Sequence, residues 1–208
     1  VINGNARLSQ TLVKDKQLEN LYILPASQTR DKDALTDDGV AEVMDELSKQ
    51  FDYIICDSPA GIERGAQLAM YHADEAIIVT NPEISSVRDS DRIIGILQSQ
   101  TKKVIENQGT VREHLIITRY NADRAAANEM MDIDTISNDI LKVPLLGVVP
   151  ESHSVLEASN HGEPVIHYTD SVAGQCYDDI VARFLGEERP LRHIDVKKKS
   201  LLQRWFGG

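Results

Sequence analysis

Residues 51–63 contain the strongest indication of a reactive site. A short apolar run over residues 53–56 ends on Asp57 and is followed by Ser58-Pro59-Ala60-Gly61. An apolar run of this length predicts a strand buried on both faces, as in parallel sheets. Ligands of open parallel sheets bind just beyond the carboxyl ends of the strands. Asp57 is therefore predicted to lie at a ligand site.

Three interpretations of Asp57 follow from the residues alone. In nucleoside triphosphatases, a carboxylate in this position holds a magnesium ion through its water shell. The same carboxylate can cap a turn without any ligand, or it can be the aspartate that a receiver domain phosphorylates. The pattern by itself leaves all three open.

Composition indicates an ordinary globular chain with an uneven charge. The 208 residues suit one domain with a sizeable core, and no run of 18 apolar residues predicts a membrane span. The net charge is −11, but residues 189–208 hold six basic side chains and one acidic side chain, which leaves −16 on the remainder. The acidic body argues against nucleic-acid binding, and the basic tail suggests an anionic partner.

Hydrophobic periodicity predicts strands that alternate with helices. This order implies parallel pairing with right-handed crossovers, so we expect an α/β fold: a doubly wound, mostly parallel sheet with helices on both faces. Ser86 and Asp89 match a capping box. The predicted strands are residues 21–24, 53–56, 76–80, 115–118 and 145–149; the main predicted helices are residues 6–13, 36–50, 62–72, 86–100, 133–141, 155–159 and 174–185.

A change of composition near residues 188–190 divides a domain, residues 1–188, from a tail, residues 189–208. Four apolar tail residues recur at i, i+1, i+4 and i+5, which is one stripe of a helix, with basic residues at its edges. This pattern is typical of an amphipathic helix in an anionic bilayer surface; a tail docked on its own domain or on a calmodulin-like partner is the alternative. The residues are Lys197, Lys198, Lys199, Leu201, Leu202, Arg204, Trp205 and Phe206.

Several blocks in the same order resemble the deviant Walker A ATPases of the ParA/MinD family, and specifically the branch that selects the division site. The resemblance covers essentially the whole chain. It rests on residues 57–63, Asn81-Pro82-Glu83, residues 85–92, residues 118–121 and the basic tail. No G-x-x-x-x-G-K-[ST] motif occurs in the 208 residues. Since this family is similar to P-loop NTPases, the resemblance implies that the first strand and phosphate loop precede Val1 and that the chain alone is inactive.

The resemblance also implies how such a protein works. ATP and Mg²⁺ would be its cofactors, and the ATP-bound homodimer would bind anionic lipids of the inner membrane from the cytoplasm. The dimer would recruit the septum inhibitor MinC and be released when the activator MinE stimulates hydrolysis. No specific nucleic acid is expected. A partition ATPase of the same family and a non-catalytic partner-binding module remain as alternatives.

Individual roles come from the resemblance and not from spacing. Asp57 is the expected catalytic residue and meets magnesium through water, while Glu83 reaches across the dimer unless it is only a solvated turn residue. One helix face is the expected dock for MinC and MinE, although such a face is also typical of plain solvent exposure. The nucleotide-binding residues are Ser58, Pro59 and Gly61 of the switch, Glu83, Asn121 at the adenine edge, and Pro150 and Glu151 near the base; the docking residues are Arg88, Asp89, Asp91 and Arg92.

Overall fold

A computed structural model describes residues 1–2, 4–25, 35–58 and 61–195. The chain forms two compact units, of which unit 1 comprises Val1–Ala73 and Gln100–Gly109, and unit 2 comprises Asp74–Ser99 and Thr110–Gly208. The strands are β1 (Val13–Lys14), β2 (Tyr22–Ile23), β3 (Glu75–Thr80), β4 (Arg112–Tyr120) and β5 (Leu145–Pro150). The α-helices are α1 (Leu8–Thr11), α2 (Asp37–Ser48), α3 (Arg64–Tyr71), α4 (Ile84–Leu97), α5 (Lys102–Ile105), α6 (Ala122–Ala126), α7 (His153–His161) and α8 (Val172–Phe184); Thr135–Leu141 forms a π-helix and Val165–His167 a 3₁₀ turn.

The best-defined helix of unit 1 is α2, and its start was predicted from the sequence. The hydroxyl of Thr36 accepts a hydrogen bond from the Gly39 N–H at 3.2 Å, which caps the helix. Asp37 and Asp38 lie in the first turn, where negative charge favours the positive end of the helix dipole. Leu47 is buried near the other end. The prediction of a helix over residues 36–50 is confirmed.

The two short strands of unit 1 pair differently from the prediction. β1 and β2 are antiparallel, with Val13 opposite Ile23, whereas alternating elements predicted parallel pairing. A parallel crossover needs about a dozen residues or more, and fewer join these strands. The Asp15 carboxylate instead accepts the N–H groups of Gln17 and Leu18, both at 2.8 Å, and so closes a turn. The predicted helix over residues 6–13 is present only as α1, Leu8–Thr11, because strand β1 begins at Val13.

The predicted strand over residues 53–56 is absent from the described part of unit 1. Tyr53 is 65% exposed and Ile55 is 91% exposed, and no strand is formed between residues 51 and 58. A strand requires a neighbour that completes its backbone hydrogen bonds, and the described strands pair only as β1-β2 and β3-β4-β5. Both the predicted strand over residues 53–56 and its expected burial are therefore wrong here.

Unit 2 is built on a parallel sheet with the strand order β3-β4-β5. Side chains of β4 alternate between the two faces. Ile116 packs in one cluster with Ile180 of α8, while Leu115 and Ile117, both 0% exposed, lie on the opposite face. Gly147 of β5 leaves room for α8, because a Cβ there would collide with Ile180. The predicted strands over residues 76–80, 115–118 and 145–149 are confirmed.

Helix α4 begins earlier than the sequence predicted. Its N-cap is Glu83, not Ser86. The Ser86 hydroxyl accepts a hydrogen bond from the Asn81 N–H at 3.4 Å, so it ties the helix to the end of β3 and does not cap a first turn. The helix predicted over residues 133–141 is present, but mainly as the π-helix Thr135–Leu141. A π-helix, in which backbone hydrogen bonds join residues five positions apart, has no simple sequence signature.

Candidate functional site

The three parallel strands of unit 2 end at one edge of the sheet, and the loops that follow them are joined by hydrogen bonds. The Thr118 hydroxyl donates to the side-chain oxygen of Asn81 at 2.8 Å, which connects β4 with the loop after β3. The Glu151 N–H donates to the Tyr120 carbonyl at 2.9 Å, which connects β5 with β4. This edge is where open parallel sheets bind their ligands.

Asn121 is held rigidly at this edge. It is half-buried and forms the N-cap of α6, because its side-chain oxygen accepts the Arg124 N–H at 3.2 Å. Pro150 is half-buried at the end of β5 and is followed by exposed Glu151. The structure therefore brings together Asn121, Pro150 and Glu151, three residues that sequence analysis assigned to one site.

A cavity of about 630 Å³ lies at the same edge of unit 2. Of the predicted site residues, Glu83 and Glu151 line it, whereas Asn121 and Pro150 are not among its lining residues. Arg119 and Arg124 also line it, although sequence analysis assigned neither of them a role. Arg119 has a positive φ of 57° at an irregularity in the β4–β5 pairing, and no local sequence signal reports such a bulge. Its position in residues 118–121, one of the blocks that carry the family resemblance, was the only sequence feature that pointed to a role for Arg119.

The apolar part of the cavity comes from Pro82, Ile84, Met130 and Met131. The Met131 N–H donates to the Pro82 carbonyl at 3.3 Å, which brings the segment after α6 against the start of α4. Methionine side chains adapt their shape and suit surfaces that accommodate variable partners. No helix or strand was predicted over residues 122–132, so this wall of the cavity was missed.

Negative charge gathers behind the same edge. Burial raises the pKa of the Tyr120 hydroxyl, and the carboxylates of Asp132 and Asp134 raise it further. Asp132 accepts hydrogen bonds from the N–H and the hydroxyl of Thr135 at 2.9 and 2.7 Å, and these bonds lower the pKa of its carboxyl group. Tyr120 therefore stays a neutral, buried hydroxyl across the physiological range.

Asp57 and the switch segment belong to unit 1. The side chains of Asp57 and Ser58 are exposed, so both are accessible to a ligand. Gly61 has a φ of +103°, a conformation that residues with a side chain rarely adopt. Pro59 and Ala60 lie outside the described residues. Among the residues that the structure describes, no group of three His, Cys, Asp or Glu side chains has the arrangement of a metal centre; the predicted magnesium contact passes through water and involves one carboxylate.

The predicted docking face of α4 is exposed. All four residues assigned to it lie on the outer side of the helix, while Val87, Ser90, Ile94 and Leu97 lie on its buried side. The separation follows the helical period. Exposure agrees with both interpretations of the face, as a dock or as an ordinary solvated surface. The exposed residues are Arg88, Asp89, Asp91 and Arg92.

All eight predicted membrane-contact residues of the tail lie outside the described residues. These are Lys197, Lys198, Lys199, Leu201, Leu202, Arg204, Trp205 and Phe206. In the described ranges, none of the helices combines the length and apolar character that crossing a bilayer requires.

A parallel α/β sheet whose strands end at one ligand-binding edge is typical of nucleotide-binding proteins, and comparison with known families defines the class. Residues 5–165 match the CobQ/CobB/MinD/ParA nucleotide-binding domain, so the chain belongs to this family. Within the family it is similar to the septum site-determining proteins MinD: it is 61% identical over 211 residues to that of Neisseria meningitidis, covering 100% of this chain and 77% of the relative.

Solved structures of MinD proteins share the fold. The MinC:MinD cell division protein complex from Aquifex aeolicus matches 93% of this chain and 74% of its own with a TM-score of 0.74 at 35% identity. The septum site-determining protein MinD complexed with Mg-ADP from Pyrococcus horikoshii matches 89% of this chain and 72% of its own, with a TM-score of 0.68 at 28% identity. The expected fold class and the resemblance to MinD are confirmed.

Proposed function

We propose that the chain acts as a membrane-associated ATPase in the selection of the division site. The observation that supports this most directly is the joined edge of unit 2, where Asn121 and Glu151 are connected through the hydrogen bond between the Glu151 N–H and the Tyr120 carbonyl. A rigid edge of this kind can hold a flat base in one orientation. The relative crystallised with Mg-ADP supports a nucleotide with magnesium as the ligand.

Each residue has a defined task in this proposal. Asn121 reads the adenine edge: its oxygen is fixed by the Arg124 N–H, and its amide nitrogen offers two donors. Pro150 and Glu151 form the second wall beside the base. Asp57 would accept hydrogen bonds from water bound to magnesium and would orient the attacking water. ATP, when bound, supplies the phosphoryl group that is transferred to water.

The residues present fit part of the nucleotide. We propose the Asn121 amide of unit 2 as the base contact and the exposed Asp57 carboxylate of unit 1 as the magnesium contact, while the 208 residues contain no G-x-x-x-x-G-K-[ST] motif to hold the phosphates. We therefore expect no phosphate release above a buffer blank from these 208 residues alone. Activity tests require a chimaera that joins the chain to the part of the Neisseria meningitidis relative that it does not match, hereafter the chimaera.

Partners and location complete the proposal. We propose that ATP drives homodimerisation, in which Glu83 reaches across to the second subunit. The dimer then binds anionic lipids of the inner membrane from the cytoplasm through its tail, recruits MinC and is released when MinE stimulates hydrolysis. The similarity to a MinD chain solved with MinC supports the first partner. The exposed face of α4 is the proposed dock for both partners.

The substitution Asn121→Ser tests the base contact. Serine is a good N-cap, so the substitution keeps a hydrogen-bond acceptor for the Arg124 N–H while it removes the amide. We expect the chimaera to bind ATP roughly tenfold or more weakly and to discriminate less between ATP and GTP, as measured by titration with fluorescent nucleotides.

Asn138→Ser is the matched control, because Asn138 is exposed on the π-helix and does not line the cavity. Unchanged affinity and unchanged base preference in Asn121→Ser would remove Asn121 from the site. A chimaera that binds MinC and releases no phosphate from ATP would instead favour a partner-binding module over an ATPase.

A further inference from the structure

Asp179, in the last part of helix α8, is a buried carboxylate that the predicted chemistry does not use. Its side chain is only 3% exposed. One oxygen accepts a hydrogen bond from Nε of Arg192 at 2.6 Å, and the other lies 3.4 Å from Nη1 of Arg189. The Arg192 hydrogen bond is the main reason why the pKa of the Asp179 carboxyl is lowered. Burying an unpaired carboxylate is costly, so the two arginines after the helix are required partners.

Arg183, one turn later in α8, fixes the same segment from the other side. Its Nη1 donates to the Leu146 carbonyl of β5 at 2.8 Å. Its Nε donates to the Arg189 carbonyl at 2.8 Å and its Nη2 to the Pro190 carbonyl at 2.7 Å. One planar guanidinium group thus joins the sheet, the helix and the following segment, a geometry that lysine cannot reproduce.

Two further contacts complete the arrangement. The Glu187 N–H donates to the Ala182 carbonyl at 2.9 Å, and the Glu187 carboxylate accepts from Nη2 of Arg189 at 2.9 Å. The backbone then turns at His193, which has a positive φ of 61°. This conformation is uncommon for a residue with a side chain, and it changes the direction of the backbone after the paired arginines.

We propose that Asp179, Arg183, Arg189 and Arg192 form a clasp that holds residues 187–192 on α8 and fixes the point from which the tail departs. The segment 189–192 is then part of the folded domain, and the linker begins at His193 and not at Arg189. Two of the six basic residues counted in the tail are paired with carboxylates of the domain: Arg192 with Asp179, and Arg189 with Asp179, Glu187 and Asp178. The clasp is a property of unit 2 alone and does not require the proposed membrane contact.

Hydrogen exchange of the full 208-residue chain tests the clasp, followed by mass spectrometry of peptides that cover residues 187–192. Asp179→Asn weakens charge-assisted hydrogen bonds, so we expect the peptide that contains the Glu187 amide, which donates to the Ala182 carbonyl, to exchange roughly ten- to a hundredfold faster. Peptides from the first half of α8 should keep their protection, which distinguishes local release from general loss of stability. Asp178→Asn is the control, because Asp178 is 65% exposed and also lies 3.4 Å from Arg189.

If Asp179→Asn alone does not fold, a double variant tests whether the clasp holds residues 187–192. Asp179→Asn combined with Arg192→Gln leaves no lone buried charge, so α8 should form while the segment is released. Faster exchange of residues 187–192 in this variant, with slow exchange in Asp178→Asn, supports the clasp. Exchange as slow as in the unmodified chain, in a variant whose circular dichroism is unchanged, would overturn it.

Discussion

The carboxylate of Asp57 is the side chain on which the proposed hydrolysis depends most. Its exposure in unit 1 leaves it free to meet water bound to magnesium. We expect Asp57→Ala in the chimaera to reduce ATP hydrolysis by about 10²-fold or more, the effect of losing a preorganised electrostatic contact. The fold should survive, because the exposed side chain fills no core.

Asp52→Ala provides the control for this measurement. Asp52 is an exposed aspartate in the same described segment, so it tests whether any loss of nearby negative charge slows turnover. Phosphate release and nucleotide affinity are measured for both variants. Normal turnover with normal affinity in Asp57→Ala would show that Asp57 is not the catalytic residue.

Single residues differ in how far the sequence predicts their place. Asn121, Pro150 and Glu151 each follow a strand, and since parallel strands end at one edge, their meeting followed from the order of elements. Arg119 and Arg124 could not be placed in the same way. Arg119 turns toward the cavity at a bulge of β4, and Arg124 is positioned by the capped start of α6. Both depend on backbone details that composition does not report.

Elements were predictable where their hydrophobic period was long. Helices α2, α4 and α8 and strands β3 to β5 follow their patterns because each buries one continuous apolar face or run. Residues 53–56 show the limit, since an apolar run indicates an extended segment but cannot supply a paired neighbour. The antiparallel pairing of β1 and β2 was decided by the short turn at Asp15, a local constraint that the alternation of strands and helices does not report.

The exposed face of helix α4 carries a prediction about partners. Asp89 is exposed while Val87 and Ser90 beside it are buried, so Asp89→Ala removes a charge without disturbing the packed side. We expect weaker binding of MinC and MinE to the ATP-loaded chimaera and unchanged binding of ATP. Titration of each partner gives the affinities, and Glu157→Ala on the exposed face of α7 is the control. If Asp89→Ala binds MinC and MinE as tightly as the unmodified chimaera does, this face is an ordinary solvated surface.

The contact between β5 and α8 carries a prediction about stability. A Cβ on Gly147 would collide with Ile180 and lie 3.2 Å from Nη1 of Arg183, so Gly147→Ala forces the helix outward. We expect a loss of about 1–3 kcal/mol in the free energy of unfolding, measured by denaturant titration.

Gly95→Ala is the opposite case within α4. No atom lies within 4 Å of a Cβ at this exposed position, and alanine favours the helix by about 0.5–1 kcal/mol. We therefore expect Gly95→Ala to raise the free energy of unfolding.

A Gly147→Ala variant as stable as the unmodified chain would mean that α8 moves freely on the sheet.

Charge divides the whole molecule into an acidic body and a basic tail. With residues 189–192 counted in the folded domain, residues 193–208 carry +3 and the remainder −14, and the body therefore repels the anionic surface that the tail is proposed to bind. Four basic residues contribute about 4 kcal/mol near such a surface, and each apolar side chain adds at most about 1.5–3 kcal/mol when fully buried. Ordering of the tail and lost mobility offset much of this. One tail should therefore bind weakly, and two tails in a dimer much more strongly through their effective concentration.

Trp205 allows this tail prediction to be measured directly, because it is the only tryptophan in the 208 residues. We expect its fluorescence to shift to the blue when vesicles of anionic lipid are added to the ATP-loaded chimaera, provided that the unmatched part of the relative adds no tryptophan of its own. The shift should be smaller with ADP, since a single tail binds weakly, and it should decrease at high salt because the attraction to lipid phosphates is screened. Leu202→Glu is the informative variant: it keeps the helix length but places a charge on the apolar stripe, so it should abolish the shift. An unshifted spectrum with the unmodified, ATP-loaded chimaera would show that the tail does not insert.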